Sequence, residues 1–219
     1  MAEIVDTTEM YIKVIYELLE DGIAPMRARI VERLNHSGPT VSQTVSRLER
    51  DGLLYIDVDR RLHLTNEGIL LAIKVMKKHR LAERLLVDKL CFPWEKAHEE
   101  ACKWEHVIGD EVLEYLKKFL GDVKTDPYGN PIPNLKKNLV SKISLLEALK
   151  GDCLKAKLVR IGEPVQVESR VLFNFKKYGV LPDKVIDFYL KNGEYFIKGE
   201  DFDEYLKINK TIARHLFVG

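Results

Sequence analysis

Four side chains that can bind a metal recur at positions i, i+4, i+7 and i+8 of one short segment: His98, Cys102, Glu105 and His106. A continuous helix would place all four on one face. His79 and Glu83 form a further i, i+4 pair in the preceding segment. Thiolate, imidazole and carboxylate groups on two antiparallel helices suit a divalent transition metal. The spacing therefore predicts a metal site.

Each of these residues also has an ordinary structural explanation. A helical histidine is usually a surface or core group, Glu83 can be a solvated charge, and Cys102 can be a small buried hydrophobe. The segment that starts at His98 also resembles the H-E-x-x-H pattern of zinc proteases. Cys102 replaces the second histidine, and a thiolate there would close the position that a hydrolytic water needs. We therefore give the protease interpretation little weight. The sequence also offers no Ser/His/Asp set, no phosphate-binding Gly-rich loop and no paired catalytic carboxylates for a metal-dependent hydrolase, so we expect that the protein is not an enzyme.

A second group of residues has the chemistry of DNA recognition. Residues 25–51 contain five arginines and three acidic residues, which gives a net charge of +2. The helical segment 40–51 carries short hydrogen-bonding side chains opposite its apolar face, and such groups contact base edges and phosphates in the major groove. The predicted DNA-binding residues are Arg27, Ser37, Pro39, Thr40, Ser42, Gln43, Thr44, Arg47, Arg50 and Arg60.

The elements around these residues fit a winged helix-turn-helix. Apolar spacing predicts helices over residues 7–21, after Pro25 and over 40–51, with turn-forming residues at 35–39. Alternating apolar residues then predict a hairpin, the wing, with Arg60 at its tip. The same pattern fits a protein-interaction module with a solvated helix face, so both interpretations stay open at this level. The overall net charge of only +1 predicts that tight DNA binding needs a dimer or an activating ligand.

Two long helical patterns and a β-rich tail follow. The helical patterns cover residues 65–90 and about 93–120, and Pro and Gly residues mark a linker over 121–140. The tail has a short helical pattern, strand patterns at 154–161, 184–190, 194–198 and 205–208, and a helix near 167–178, which together predict a small β-barrel. We therefore expect a mainly α chain with a small β part. We divide it into domains 1–72, 73–140 and 141–219.

An apolar stripe on the second long helix is a candidate dimer seam, although intramolecular core would explain about half of it: Ala101, Trp104, Ile108, Val112, Tyr115 and Phe119. The three cysteines are scattered and form no C-x-x-C pair, which favours a reducing compartment. The sequence has no apolar run of membrane-spanning length, and its N-terminal segment lacks the basic residues of a signal peptide. We expect a cytoplasmic protein with no membrane partner.

Several long motifs resemble the diphtheria toxin repressor family of iron-dependent regulators. They are VDTTEMY at 5–11, RARI at 27–30, SGPTVSQTV at 37–45, ERDGL at 49–53, KHRLAERLL at 78–86, EACKWEH at 100–106 and GNPIP at 129–133. The resemblance covers residues 1 to about 135, and beyond them the tail is similar to the family's SH3-like domain in position and length.

The resemblance implies two metal sites per chain. The activating site is carried over to Met10, Cys102, Glu105 and His106. The ancillary site is carried over to His79, Glu83, His98, Glu163 and Gln166. It also implies an anion near Arg80 and Asn130, although Asp126, an acid in the same linker, disfavours that anion here.

The implied function is an Fe(II)-activated transcriptional repressor of iron homeostasis that binds operator DNA. It would act as a homodimer, with two dimers sharing one palindromic operator as in relatives, and the metal would order the N-terminal helix. The thioether of Met10 and the thiolate of Cys102 favour Fe²⁺, with Co²⁺, Ni²⁺ or Zn²⁺ as substitutes, whereas manganese sensors use more oxygen ligands. The alternative is a winged-helix regulator that responds to another divalent metal (Mn, Co or Ni) or to an organic ligand.

Overall fold

The computed structural model describes residues 6–134 and 143–219, and these fall into two compact units. The first unit contains the described residues up to His79 and the segment Cys102–Tyr115. The second contains Arg80–Ala101, Leu116–Ile132 and the described residues from Ile143 onward. The division into three domains stays a prediction. Among the described residues, helices long and apolar enough to cross a membrane are absent.

The first unit begins with the three predicted helices, α1 (Thr7–Glu20), α2 (Arg27–Leu34) and α3 (Gly38–Arg50). Asp6 caps α1 through its side chain, which accepts a hydrogen bond from the backbone N–H of Thr8 at 2.8 Å. Ser37 caps α3 in the same way. These caps and the turn between α2 and α3 confirm the helix-turn-helix prediction.

The wing and the next helix complete the N-terminal core. Strands β1 (Leu54–Ile56) and β2 (Leu62–Leu64) pair antiparallel, and Arg60 lies in the turn between them with a φ of +63°. Helix α4 (Asn66–Arg84) follows. Apolar side chains from α1, α2, α3, both strands and α4 form one buried core, which fixes α3 against α1.

The predicted continuous helix over residues 93–120 is wrong. A short 3₁₀ turn and α5 (Ala97–Trp104) come first, and α6 (Asp110–Leu120) is separate. Gly109 disfavours the helix, and the acidic residues Asp110 and Glu111 favour a new N-terminus at this point. The segment between the two helices therefore turns, and Glu105 and His106 lie in this turn and not within a continuous helix.

This break also divides the predicted apolar stripe. Ala101 on α5 is fully buried, so the core explanation holds for that residue. On α6, Val112, Tyr115 and Phe119 are 58%, 65% and 63% exposed, while Leu113 is buried. The spacing of the three exposed residues places them on one face of α6. Only this C-terminal half of the stripe remains as an exposed apolar surface.

The second unit is built around an antiparallel six-stranded sheet with the order β3-β8-β4-β5-β6-β7. Its strands are β3 (Ile143–Ser144), β4 (Cys153–Ile161), β5 (Val185–Lys191), β6 (Glu194–Gly199), β7 (Leu206–Ile208) and β8 (Leu216–Val218). Its short helices are α7 (Leu145–Ala148), α8 (Glu163–Gln166), α9 (Ser169–Lys177) and α10 (Lys210–Arg214). The predicted strands and the helix near 167–178 are confirmed, whereas β3, β8, α8 and α10 are too short for their periodicity to be recognised. This sheet is the SH3-like domain expected for the tail.

Candidate metal centre and DNA interface

A buried lysine lies at the centre of the first group of metal-binding side chains. Lys13 Nζ donates to Glu105 Oε2 at 2.9 Å and to Cys102 Sγ at 3.5 Å, and it lies 3.2 Å from His79 Nδ1. The second oxygen of Glu105 is 3.4 Å from His106 Nε2. We call this group, together with Glu9, the Lys13 cluster. It belongs entirely to the first unit.

Charge–charge contacts keep the carboxyl group of Glu105 ionised. Burial by itself would raise its pKa, but the ammonium of Lys13 and the ring of His79 outweigh burial and lower the pKa to about 2. His79 Nδ1 is 2.5 Å from Glu105 Oε2, so the imidazole lies within hydrogen-bond distance of this carboxylate. Glu105 therefore offers anionic oxygen atoms at neutral pH.

The N-terminal turn of α1 reaches this cluster through Glu9. Its Oε2 lies 2.7 Å from His106 Nδ1, which joins α1 to the turn that follows α5. Met10, the next residue, is half-buried and packs against the apolar core of the first unit. The contacts of the described residues thus tie α1 to His106 through Glu9, a residue that the sequence analysis did not select.

The chemistry of the Lys13 cluster fits a divalent transition metal. Cys102 sulfur, an imidazole nitrogen of His79 and a carboxylate oxygen of Glu105 all lie within 3.5 Å of one atom, Lys13 Nζ. Thiolate and imidazole are ligands that Fe²⁺, Co²⁺, Ni²⁺ and Zn²⁺ accept. His106 adds a second imidazole beside the same carboxylate.

A second group of side chains that can bind a metal, which we call the His98 cluster, lies in the second unit and consists of Glu83, His98 and Glu163. His98 Nδ1 is 3.1 Å from Glu83 Oε1, and His98 Nε2 is 3.6 Å from Glu163 Oε1. Glu83 and His98 are almost fully buried. Gln166 is also buried, and its amide donates to the carbonyl oxygen of Ile161 at 2.6 Å. The structure thus brings three of the predicted ancillary ligands together.

The predicted anion position contains a carboxylate of the chain itself. Asn130 donates to both oxygens of Asp126 at 2.9 Å, and Arg80 Nε lies 3.6 Å from Asp126 Oδ2. Burial, with the charge of Glu83 nearby, raises the pKa of Asp126 to about 7. Gly129 has a φ of +87°, and a side chain there would collide with the backbone of β4, so this turn requires glycine. An added anion at Arg80 and Asn130 would meet the carboxyl group of Asp126.

The predicted DNA-binding residues form an exposed surface on α3 and the wing. Eight of them are exposed: Ser37, Pro39, Thr40, Ser42, Gln43, Arg47, Arg50 and Arg60. Thr44 and Arg27 are half-buried. The Ser37 hydroxyl group accepts from the backbone N–H of Thr40 at 3.3 Å, so part of its hydrogen-bonding capacity already serves the helix. Opposite this surface, Val41, Val45 and Leu48 are fully buried.

Two side-chain contacts join α1 to α3 and to the turn that precedes α3. Arg47 Nη2 on α3 donates to Thr8 Oγ1 at 3.3 Å. Tyr11 Oη lies 3.0 Å from His36 Nδ1, in the turn before α3. Helix α1 therefore contributes Glu9 and Lys13 to the Lys13 cluster and also contacts α3, the candidate recognition helix, within one compact unit.

Sequence reasoning missed Lys13 and Glu9 as members of the site. One signal for Lys13 was present, because a lone lysine between Ile12 and Val14 in a strongly apolar helix needs a buried partner. Glu9 had no comparable signal, since an acid in the first turn of a helix is explained by the helix dipole alone.

An exposed recognition helix, a wing and two ligand clusters define a metal-responsive DNA-binding protein. Residues 3–64 match the family model "Iron dependent repressor, N-terminal DNA binding domain". Residues 65–134 match "Iron dependent repressor, metal binding and dimerisation domain". The chain belongs to the iron-dependent repressor family.

Individual relatives agree with this assignment. The diphtheria toxin repressor of Corynebacterium jeikeium is 48% identical over 207 residues, which cover 85% of this chain and 86% of the relative. The iron-dependent repressor IdeR of Mycobacterium tuberculosis is 50% identical over 192 residues, which cover 84% of each chain.

Solved structures share the fold along nearly the whole chain. IdeR from T. acidophilum has a TM-score of 0.74 at 25% identity and covers 98% of this chain and 99% of its own. ScaR with bound Zn²⁺ has a TM-score of 0.80 at 27% identity with the same coverage. The protein is thus a metal-activated, DNA-binding repressor that depends on a divalent metal and has DNA and a second copy of itself as partners.

Proposed function

We propose that Fe²⁺ is the activating metal and that Met10, Cys102, Glu105 and His106 bind it. The observation that carries this proposal is the position of Cys102 sulfur beside Glu105 in a buried cluster with imidazoles. A bound metal would supply one centre of positive charge that coordinates sulfur, oxygen and nitrogen together. Co²⁺, Ni²⁺ and Zn²⁺ suit the same donors, whereas Mn²⁺ prefers oxygen.

The second site of the proposal is the His98 cluster, supplemented by Gln166. The family resemblance also assigns His79 to this site, whereas the structure places its Nδ1 atom in the Lys13 cluster. The donors of the His98 cluster are nitrogen and oxygen, and Glu83 and His98 are buried where a cation would compensate the carboxylate charge. This composition also accepts Mn²⁺, and a related solved structure is that of the manganese regulator SloR. A sensor of another divalent metal is therefore the second candidate.

The residues of α1 would pass the metal signal to DNA. Glu9 contacts His106 at one side of the helix, while Thr8 and Tyr11 contact Arg47 and the turn before α3. Fixing α1 against the turn after α5 would thereby restrict α3 to one arrangement. A ligand that favours this state by a few kcal/mol changes the DNA-bound fraction by orders of magnitude.

On DNA, we expect α3 to lie in the major groove with Gln43 contacting a base and Arg60 reaching the backbone or minor groove. The exposed face of α6 (Val112, Tyr115 and Phe119) would form the homodimer seam. Two dimers would share one palindromic operator. The protein would act in the cytoplasm as a regulator and not as an enzyme.

The test is an anaerobic metal titration of the full chain with Fe²⁺ and separately with Mn²⁺. A measurement of the mass of the operator complex then gives the number of chains bound. The proposal predicts two Fe²⁺ per chain, weaker Mn²⁺ binding at the site that contains Cys102, and four chains per operator. Stronger Mn²⁺ than Fe²⁺ binding at that site would favour the second candidate. DNA binding that chelators leave intact would instead indicate an organic ligand.

A further inference from the structure

Lys13 holds a positive charge where the activating metal is proposed to bind. Lys13 is only 4% exposed, and its ammonium group donates to Glu105 Oε2 at 2.9 Å and to Cys102 Sγ at 3.5 Å. These are the atoms through which the carboxylate and the thiolate would coordinate a metal. Lys13 itself has no lone pair to offer in its charged form.

An ammonium group and a divalent metal therefore compete for the same electron pairs. A metal contacts sulfur at about 2.3 Å and oxygen at about 2.1 Å, which leaves no room for a hydrogen-bonded ammonium on the same side of these atoms. Two cations in a buried site also repel strongly, because the effective dielectric constant there is low.

A second carboxylate can receive the ammonium when it leaves. Glu17 lies one helical turn further along α1, is 4% exposed, and its Oε1 is 4.0 Å from Lys13 Nζ. A modest change of side-chain torsion would move the ammonium from Glu105 towards Glu17 without exposing it. Lys13 would then stay paired in both arrangements.

We propose that Lys13 is a tethered competitor of the activating metal. Its ammonium group neutralises Glu105 and holds Cys102 until a metal displaces it, and this displacement lowers metal affinity. Lys13 thereby sets the metal concentration at which the repressor binds DNA. The inference rests on the proposed function of the Lys13 cluster as the activating site.

The experiment measures metal affinity directly, without DNA. Full-length protein is titrated anaerobically with Co²⁺ against a fluorescent chelator, for the wild type and for Lys13→Met, Lys13→Gln and Lys13→Arg. The two neutral variants should bind Co²⁺ at least about tenfold more tightly, because the competing charge is gone. Lys13→Arg keeps the charge and should stay within about threefold of the wild type.

Lys74→Met is the matched control. Lys74 belongs to the same unit but forms an exposed ion pair with Asp110, so removing its charge should leave Co²⁺ affinity unchanged. Metal-free Lys13→Met should also melt at a lower temperature than the wild type, because Glu105 loses its buried counter-charge. Co²⁺ should raise its melting temperature by more than it raises that of the wild type.

Unchanged or weaker Co²⁺ affinity in both neutral variants, with native circular dichroism, would overturn the proposal. So would an equal gain in Lys13→Arg, because the effect would then come from side-chain shape. If the wild type itself binds no Co²⁺, the proposed function fails together with this inference. If both neutral variants fail to fold, Glu17→Gln decides: its Co²⁺ affinity should fall, and an unchanged value contradicts the proposal.

Discussion

The two ligand clusters of this chain differ in how their charges are balanced. The Lys13 cluster contains sulfur and an internal cation, and Lys13 contacts Glu105 and Cys102 directly. The His98 cluster contains nitrogen and oxygen donors, with His98 between the carboxylates of Glu83 and Glu163. In the same unit, Arg80 Nε lies 3.6 Å from Asp126 Oδ2.

This difference assigns separate roles to the two clusters. A cluster that already contains a competing cation responds to a metal by exchange, which suits a switch with a threshold. A cluster with two carboxylates beside one buried imidazole gains charge compensation from a metal, which suits a site that stabilises the unit. We therefore expect the first cluster to control DNA binding and the second to support it.

Loss of Cys102 should have the largest effect. Cys102→Ala removes a direct sulfur ligand, so metal-dependent operator affinity should fall by at least about a hundredfold, more than the loss of an outer-shell partner usually costs. A gel shift with Fe²⁺ or Co²⁺ measures this operator affinity. Cys153→Ala is the matched control, because Cys153 is an exposed cysteine in the other unit. An equal loss of operator affinity in both variants would show that Cys102 is not a ligand of the activating metal.

The effect of removing His98 should be smaller than that of removing Cys102, and it should differ in kind. His98→Ala removes the imidazole between Glu83 and Glu163, so one metal per chain should be lost and operator affinity should fall roughly tenfold, as for a supporting site. The remaining binding should still require metal. A complete loss of metal-dependent DNA binding, with a native circular dichroism spectrum, would contradict the division of roles.

Met10→Ala tests whether α1 carries a ligand as well as the Glu9 contact. We expect the fold and the dimer to remain, since Met10 is only half-buried, and metal-dependent operator affinity to weaken by about five- to tenfold. Gel shifts across a metal titration measure the change. An unchanged metal response would show that α1 is joined to the cluster without Met10.

The two units should also differ in the sign with which a change of pH alters their stability. The folded pKa of Glu105 is lowered to about 2, so its contribution is present above its ordinary value of 4.5 and is lost as the pH falls below it. The folded pKa of Asp126 is raised to about 7, so stability from this group decreases as the pH rises from about 4 to 7.

Urea unfolding in the presence of a chelator, from pH 3 to 8, distinguishes these signs. Glu105→Gln should flatten the acid side of the stability profile, and Asp126→Asn should reduce the decline towards neutral pH. If both substitutions changed the slope of stability against pH in the same direction, the electrostatic difference between Glu105 and Asp126 would be contradicted.

The sequence predicted the helix-turn-helix, the wing and most strands because their apolar periodicity is long enough to read. It did not predict the turn between α5 and α6, where Gly109 and Asp110 override an apolar pattern that continues through them. It also placed Glu105 on a helix, although this residue meets Lys13 from a turn. Contacts between residues far apart in the chain, such as Lys13 with Glu105, depend on tertiary packing and leave little periodic signal.

The most direct test of metal activation through Cys102 is operator binding by fluorescence anisotropy under anaerobic conditions, with Fe²⁺ and then Mn²⁺ as titrants and Cys102→Ala alongside. Binding should appear with Fe²⁺, respond more weakly to Mn²⁺ and be lost in the variant. Binding that is indifferent to metal, or that survives unchanged in Cys102→Ala, would contradict it.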